Sequence, residues 1–562
     1  MPFYAGAIGV PNILTDVDAK LYQQVFRLQD KEKIDTAIKV QSQIADPLLM
    51  NEVLYQRYIS DSYRTRGREI SDWMATNYNM PGAKRMEKLA KIKQASVRRA
   101  VVPNIISGSE SIETAQSETW TAKKYSGDTD KKINEFKRAI RTGSTKVARQ
   151  ILEDKAFKKQ LTEYDYGRLA GRLSYIYYTN GEMELAKKWG FVASDAKSEY
   201  GLWSMGLLYF KEDNYVEAQK YFSRILELPQ INNARKTEAA FWAGRCADYK
   251  GDRVTAKKYW RIAATYPMAF YGALSAVMLG ESPKYEFFET DATVEDLKFL
   301  AETKYGKKAL ALIQVGRKDR AEEYLKYMIT PRVSDRVLHA INSVATEYGL
   351  PRVSILSAGV IRDRGILEID DDIIYSAQYP LPDWEPLGGW SIDRALLLAI
   401  AKQESNFRTT ATSGAGANGV MQIMPSTAKR VARANKVDFS QMDMSNPEHN
   451  MFLGQQYIVD LLQHPNIENN IIKMLAAYNA GMGTMVKFEK SFYTYDPLLY
   501  IESFPAYETR SYIKRVMSNL WLYRARLNQP LATMEELANG NWPLYNSEDE
   551  YVQKQIAERM MI

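Results

Sequence analysis

The chain has 562 residues, 45% of them hydrophobic and 25% charged, enough to bury several cores and outside the range of disordered or fibrous sequences. Its net charge of +7 is too modest to name a ligand, and Cys246, the single cysteine, excludes an intrachain disulfide. The aliphatic run near residues 395–401 falls far short of the ~20 residues needed to cross a bilayer.

The start, Met1-Pro2-Phe3-Tyr4-Ala5-Gly6, has no charged region ahead of an apolar core, so export is absent or a leader has been removed. The densest basic run comprises Lys84, Arg85, Lys88, Lys91, Lys93, Arg98 and Arg99. It suits an anionic polymer, or equally a solvated helix face. No module for reading nucleic acid accompanies it, which argues against a nucleic-acid partner.

A small residue then recurs inside helix-like segments, at Ala148, Ala186, Ala218, Ala256 and Ala321. The first four are spaced by 38, 32 and 38 residues, and three of them follow an aromatic helix and a turn, as in Tyr178-Thr179-Asn180-Gly181. This period predicts stacked helix pairs of the tetratricopeptide kind, with an irregular helical bundle as the alternative. Gly280-Glu281-Ser282-Pro283 breaks the pattern. Residues 377–389 contain three prolines and two glycines, which sets off a terminal domain. No Gly-x-Gly-x-x-Gly follows a strand, so a nucleotide-binding α/β enzyme is not expected. His339, His449 and His464 form no His-Glu-x-x-His pattern, so no zinc site or other cofactor is expected.

In that terminal domain, Trp390-Ser391-Ile392-Asp393 reads as a helix start with Ser391 as N-cap and Asp393 in the first turn. Ala395 to Ala401 is wholly apolar, and Leu397 and Ile400 lie seven and four residues before Glu404, on one helical face. A carboxyl emerging from that face keeps its proton near neutral pH, which suits a general acid. The glycine-rich segment from Ser413 to Gly419 can approach a ligand closely, and Pro425 suits the first turn of a helix through Ala434. Ala476-Ala477-Tyr478-Asn479-Ala480-Gly481 ends another helix, with Gly481 as its C-cap. Tyr500-Ile501-Glu502-Ser503-Phe504-Pro505 leads into a segment containing Glu508, Arg510 and Tyr512. Taken singly, each has an ordinary explanation: Glu404 as a solvated charge, Ser413 in a turn, Met421 and Met424 as packing, Tyr478 as a core tyrosine, Glu508 as a structural partner. Four such segments in order within about a hundred residues are more than one motif would justify.

Those segments resemble the catalytic domain of the soluble lytic murein transglycosylases, a family with a goose-lysozyme-like fold that cleaves peptidoglycan glycan strands. The resemblance covers residues 388 to 530, and the helices before it resemble the doughnut-shaped superhelix of the large soluble members. It implies an all-α chain: an α-superhelical, TPR-like domain (1–290), a helical linker domain (291–385), a lysozyme-like domain (386–545) and a tail (546–562). By motif, Glu404 is the catalytic acid/base and Ser413 the loop serine that positions substrate. Gln422 and Met424 line the cleft, Tyr478 is the tyrosine near the reaction centre with Asn479 beside it, and Glu508 is a second cleft glutamate. Where many members have Pro-Val-Gly-Ala-Ser after that serine, this chain has Gly414-Ala415-Gly416-Ala417-Asn418. The resemblance implies non-hydrolytic cleavage between N-acetylmuramic acid and N-acetylglucosamine, leaving 1,6-anhydro ends, in the periplasm after loss of a leader. Glycan strands are the expected partner, with cell-wall synthesis or secretion proteins as further ones. A hydrolytic muramidase, using two carboxyls, and a wall-binding scaffold are the alternatives.

Overall fold

A computed structural model of the protein describes residues 12–106, 123–229, 231–283, 285–287, 292–365 and 376–560. The start at Met1 to Gly6 and the expected boundary at 290/291 lie outside them. Among the described residues all extended regular structure is helical, with only isolated β-bridges such as Thr412 with Asn418, so the chain is all-α as expected. No helix among them is long and apolar enough to cross a membrane.

The chain forms two compact units, each drawn from two stretches of sequence. The first joins residues 1–110 to 286–383. Its core interleaves Tyr22, Phe26, Val53, Trp73 and Met86 with Leu310, Leu312, Tyr324, Ile341 and Val353. Arg320 crosses between the stretches to pair with buried Glu52 at 2.7 Å, and the Tyr324 hydroxyl donates to the same carboxylate at 2.7 Å. The basic run lies on and after the Ala83–Ile92 helix with its cations exposed, the pattern of a solvated face.

The second unit joins residues 111–285 to 384–562. Helices Glu163–Thr179, Glu199–Lys211 and Asn233–Tyr249 each turn back into a partner, Met183–Asp195, Tyr215–Leu226 and Arg253–Ala264. The turns use left-handed backbone at Gly181, Asp213 and Gly251, the conformation that ends a helix most tightly. Asn214 and Asp252 cap the returning helices by accepting the N–H of Glu217 and Thr255. Ala148, Ala186, Ala218 and Ala256 are all fully buried, where a methyl group lets the paired helices approach. Successive hairpins pack on one another, giving the TPR-like stack that the period predicts.

In the terminal part, the helix Arg394–Ser405 packs on Pro447–Leu462 and the long Tyr507–Arg526, and Ile471–Ala480 packs on both of those. Every residue from Ala395 to Ala401 is buried, so the helix is apolar on all sides rather than on one face. Its start differs from the expected one. Asp393, not Ser391, occupies the N-cap position, because Ser391 is turned to the Pro447–Leu462 helix, where its hydroxyl accepts from Gln456 and its N–H donates to Gln455. The Asp393 carboxylate, fully buried, accepts from the Ser547 hydroxyl at 2.6 Å, the Glu548 N–H at 3.1 Å and Arg524 at 3.3 Å. Asp549 pairs with Arg394 at 2.8 Å, and Tyr545 donates its N–H to the Asn469 carbonyl. Residues 543–549 thus strap the base of this helix.

The helix stack and the terminal part share a polar seam. The Tyr175 hydroxyl donates to the Glu502 carbonyl at 2.6 Å, Tyr178 and Ser503 share a hydrogen bond of 2.7 Å, and Phe270 stacks on Trp521 with centroids 5.2 Å apart.

Candidate active site

Glu404 stands one residue before the end of the Arg394–Ser405 helix. The chain then turns sharply, because Asn406 and Phe407 both have positive φ, 48° and 60°. Asparagine tolerates that conformation, whereas phenylalanine does so at a cost that its burial and packing against Trp384 offset. The turn leaves Glu404 facing the long helix. Burial pushes its carboxyl up to about 7, contact with the Tyr512 hydroxyl opposes that, and the negative charge of Glu508 adds to it. The Tyr512 hydroxyl is buried beside the carboxyl without the alignment of a regular hydrogen bond. Burial, with the Glu404 charge behind it, also raises Tyr512 and Tyr478 well above the usual phenol range, so both stay protonated donors.

Tyr478 and Tyr512 stack with centroids 6.4 Å apart and planes 10° from parallel, and Tyr457 lies 5.3 Å beyond Tyr478. This aromatic wall is tied to the glycine-rich segment, since the Tyr478 hydroxyl donates to the Met421 carbonyl at 2.8 Å. Ser405, next to the acid, donates to the Val420 carbonyl at 2.9 Å. The segment therefore borders the acid on two sides.

Within it, the Ser413 hydroxyl accepts the Ala417 N–H at 2.9 Å, while the Ser413 N–H donates to the Ala417 carbonyl at 2.9 Å. Gln422 donates its side-chain amide to the carbonyls of Ala411 and Gly419. Gly419, at φ 77°, lies against Asn450, which accepts the Met421 N–H and donates to the Asn418 carbonyl. A Cβ at Gly419 would overlap the Asn450 amide. Met424 is 40% exposed, just ahead of Pro425–Ala434, a helix with the expected bounds. Asn479 accepts from the Thr509 hydroxyl at 2.7 Å and so joins two helices, with Gly481 as the expected C-cap behind it.

The structure brings Glu404, Tyr478 and Glu508 into one electrostatic group. The hydrogen bonds of Ser413, Gln422 and Asn479 run to the backbone and to Thr509. Tyr512 was not singled out from the sequence. The signal that would have found it is its place four residues after Glu508, on the same face of the long helix. Glu502, a possible second carboxylate, is buried in a different group, where Lys514 pairs with it at 2.9 Å and the Tyr271 hydroxyl donates at 2.7 Å. A cavity of about 700 Å³ opens there, lined by Arg141, Arg172, Arg235, Arg510, Lys514 and Arg515 among other residues, with Glu199, Glu238 and Glu502 as its acids. Among the described residues no three His, Cys, Asp or Glu side chains gather as metal ligands would.

The terminal domain thus sets a carboxyl of raised pKa at a helix end against stacked tyrosines. Residues 386–501 match the family model of the transglycosylase SLT domain. A putative soluble lytic murein transglycosylase of Haemophilus influenzae is 33% identical over 154 residues, 26% of this chain and 25% of the relative. The soluble lytic murein transglycosylase of Escherichia coli K12 is 35% identical over 139 residues, 24% of this chain and 21% of the relative. These matches thus span about a quarter of the relatives' length. In fold, the crystal structure of the 70 kDa soluble lytic transglycosylase of Escherichia coli aligns over 95% of this chain and all of its own, with a TM-score of 0.56 at 16% identity. An inactive Glu-to-Gln mutant of the lytic transglycosylase Slt from Pseudomonas aeruginosa aligns over 92% and 88%, with a TM-score of 0.52 at 18% identity.

Proposed function

We propose that the chain is a periplasmic lytic transglycosylase of peptidoglycan, cleaving the β-1,4 bond between N-acetylmuramic acid and N-acetylglucosamine to leave 1,6-anhydro ends. The observation that carries this reading is Glu404, a carboxyl held at about 7 in the SLT domain by burial at the end of an apolar helix. Protonated Glu404 donates to the glycosidic oxygen and becomes a carboxylate. That carboxylate then takes the proton of the muramoyl C6 hydroxyl as its oxygen attacks C1, which closes the anhydro ring and restores the acid. An internal hydroxyl held in place competes with water through an effective concentration of roughly 10⁵ M or more. Tyr512 favours the charged half of the cycle, and Tyr478 and the Ser413 to Met424 segment form the wall that orients the sugar.

The six cationic side chains of the neighbouring cavity, against three acids, suit the carboxylates of peptide stems on the same strand. Hydrolysis is the second reading, and exposed Glu508 is the carboxyl it would need as a second catalytic group. Mass spectrometry of the products from purified sacculi separates the two. Muropeptides lighter by one water support transglycosylation, whereas reducing ends alone would replace it with hydrolysis.

A further inference from the structure

Among the described residues, the two most exposed aromatic rings belong to one loop of the terminal part: Tyr493, 66% exposed, and Tyr495, 80%. They pack edge to face, with centroids 4.8 Å apart and planes at 83°. Such a pair covers one face of one ring and leaves the remaining faces to solvent. Burying an aromatic ring is strongly favourable, so leaving two adjacent ones outside calls for a reason.

The loop does not need them to fold. Phe492, 2% exposed, anchors one end by packing on Phe488 and edge-on to Tyr178, with the Lys211 ammonium 3.4 Å from its ring centre. Asp496 anchors the other, accepting the N–H groups of Leu498 and Leu499 at the start of Pro497–Ser503 and pairing with Arg245 at 2.7 Å. That ion pair also ties the loop to the helix Asn233–Tyr249, whose last residue is 54% exposed and stacks on Tyr215 at 4.7 Å and 13°. The Arg245 guanidinium lies 5.6 Å from the Tyr249 ring. Exposed tyrosines from two separate stretches of sequence thus flank one ion pair. The loop's contacts run to Tyr178, Lys211 and Arg245, not to the residues around Glu404.

We propose that this surface, formed by Tyr493 and Tyr495 and extended by Tyr249, is a second saccharide-binding site on which pyranose rings of a glycan strand stack. The proposal rests on the glycan substrate argued above. The chemistry favours sugar over an apolar protein partner: each ring offers a flat face to the C–H face of a pyranose and a hydroxyl to its rim, and the half-buried residues beside them in the loop, Thr494 and Asp496, are polar. A strand is longer than any cleft, so a second contact on the same unit keeps the polymer near Glu404 between cuts.

The test uses the full chain. Binding is measured by co-sedimentation in a Glu404→Gln background, which retains strands, with sacculi and with glycan strands stripped of peptide as probes. Tyr493→Ala with Tyr495→Ala is expected to weaken binding to stripped strands about fivefold or more, while Tyr493→Phe with Tyr495→Phe stays within about twofold. With Glu404 intact, the alanine pair is expected to slow sacculus turnover and leave kcat/KM on a short soluble glycan unchanged. Unchanged binding of the alanine pair to stripped strands overturns the proposal, as does a loss confined to peptide-bearing sacculi. Anhydro products with tyrosine-independent binding would sink the surface alone. Tyrosine-dependent binding without anhydro products would sink the proposed activity and leave the surface standing.

Discussion

The acidity of Glu404 can be moved in both directions by single substitutions, and the direction of each follows from the site. A carboxyl at about 7 is ~90% protonated at pH 6, about half at pH 7 and ~9% at pH 8, whereas an unperturbed glutamate near 4.3 is only ~0.2% protonated at pH 7. Burial therefore supplies a few hundredfold more of the acid form at neutrality. The kcat/KM of the free enzyme on a soluble glycan is expected to fall about tenfold per pH unit above that value. Glu508→Gln removes a like charge that raises the carboxyl. Because Glu508 is exposed and screened, the falling limb should move down by only ~0.2–0.5 units. Tyr512→Phe removes a hydroxyl that lowers it, so the limb should move up. NMR titration of Glu404 beside the kinetic profiles makes the assignment direct. A limb near 4.5, or one that both substitutions leave in place, would refute the argument that burial among apolar side chains sets the acid.

Glu404→Gln should abolish turnover yet stabilise the protein in alkaline solution, read by hydrogen exchange of the Arg394–Ser405 helix amides. A raised folded-state pKa means that wild type keeps its stability below about 4.3 and loses it as pH rises to about 7, so the glutamine variant gains roughly 1–3 kcal/mol above pH 7 and nothing at pH 4. Gly419→Ala should cost roughly 2–4 kcal/mol, since it combines a strained positive φ with overlap on Asn450, and should depress kcat/KM on short glycans as the Met421 carbonyl leaves Tyr478. Ser413→Ala should cost about 1 kcal/mol by freeing the Ala417 N–H, and an unchanged melting temperature with reduced kcat would instead assign the hydroxyl to substrate.

What could be read from the sequence was local. Glu404 at the end of an apolar run, Pro425 opening its helix, Gly481 closing another and alanines at the helix-pair spacing all depend on residues within a turn or two of each other. Ser391 misled because a serine before an apolar run usually caps it, and only the helix bearing Gln455 and Gln456, some 65 residues on, supplies a competing partner. Tyr512 meets Glu404 across 108 positions of sequence, a pairing that no period or spacing announces. The same holds for the joining of residues 1–110 to 286–383, whose shared core depends on contacts more than 200 positions apart.

The strap at residues 543–549 bears on how such a domain could be cut out and passed between proteins. A fragment ending at residue 501, where the family match stops, would retain Glu404 and lose Tyr512 and Glu508, and with them the neighbours that tune its proton. It would also lose Arg524, Ser547 and Glu548, leaving the Asp393 carboxylate without those three partners at the mouth of the acid's own helix. Keeping the acid's helix and its neighbours intact therefore requires the chain at least through Asp549.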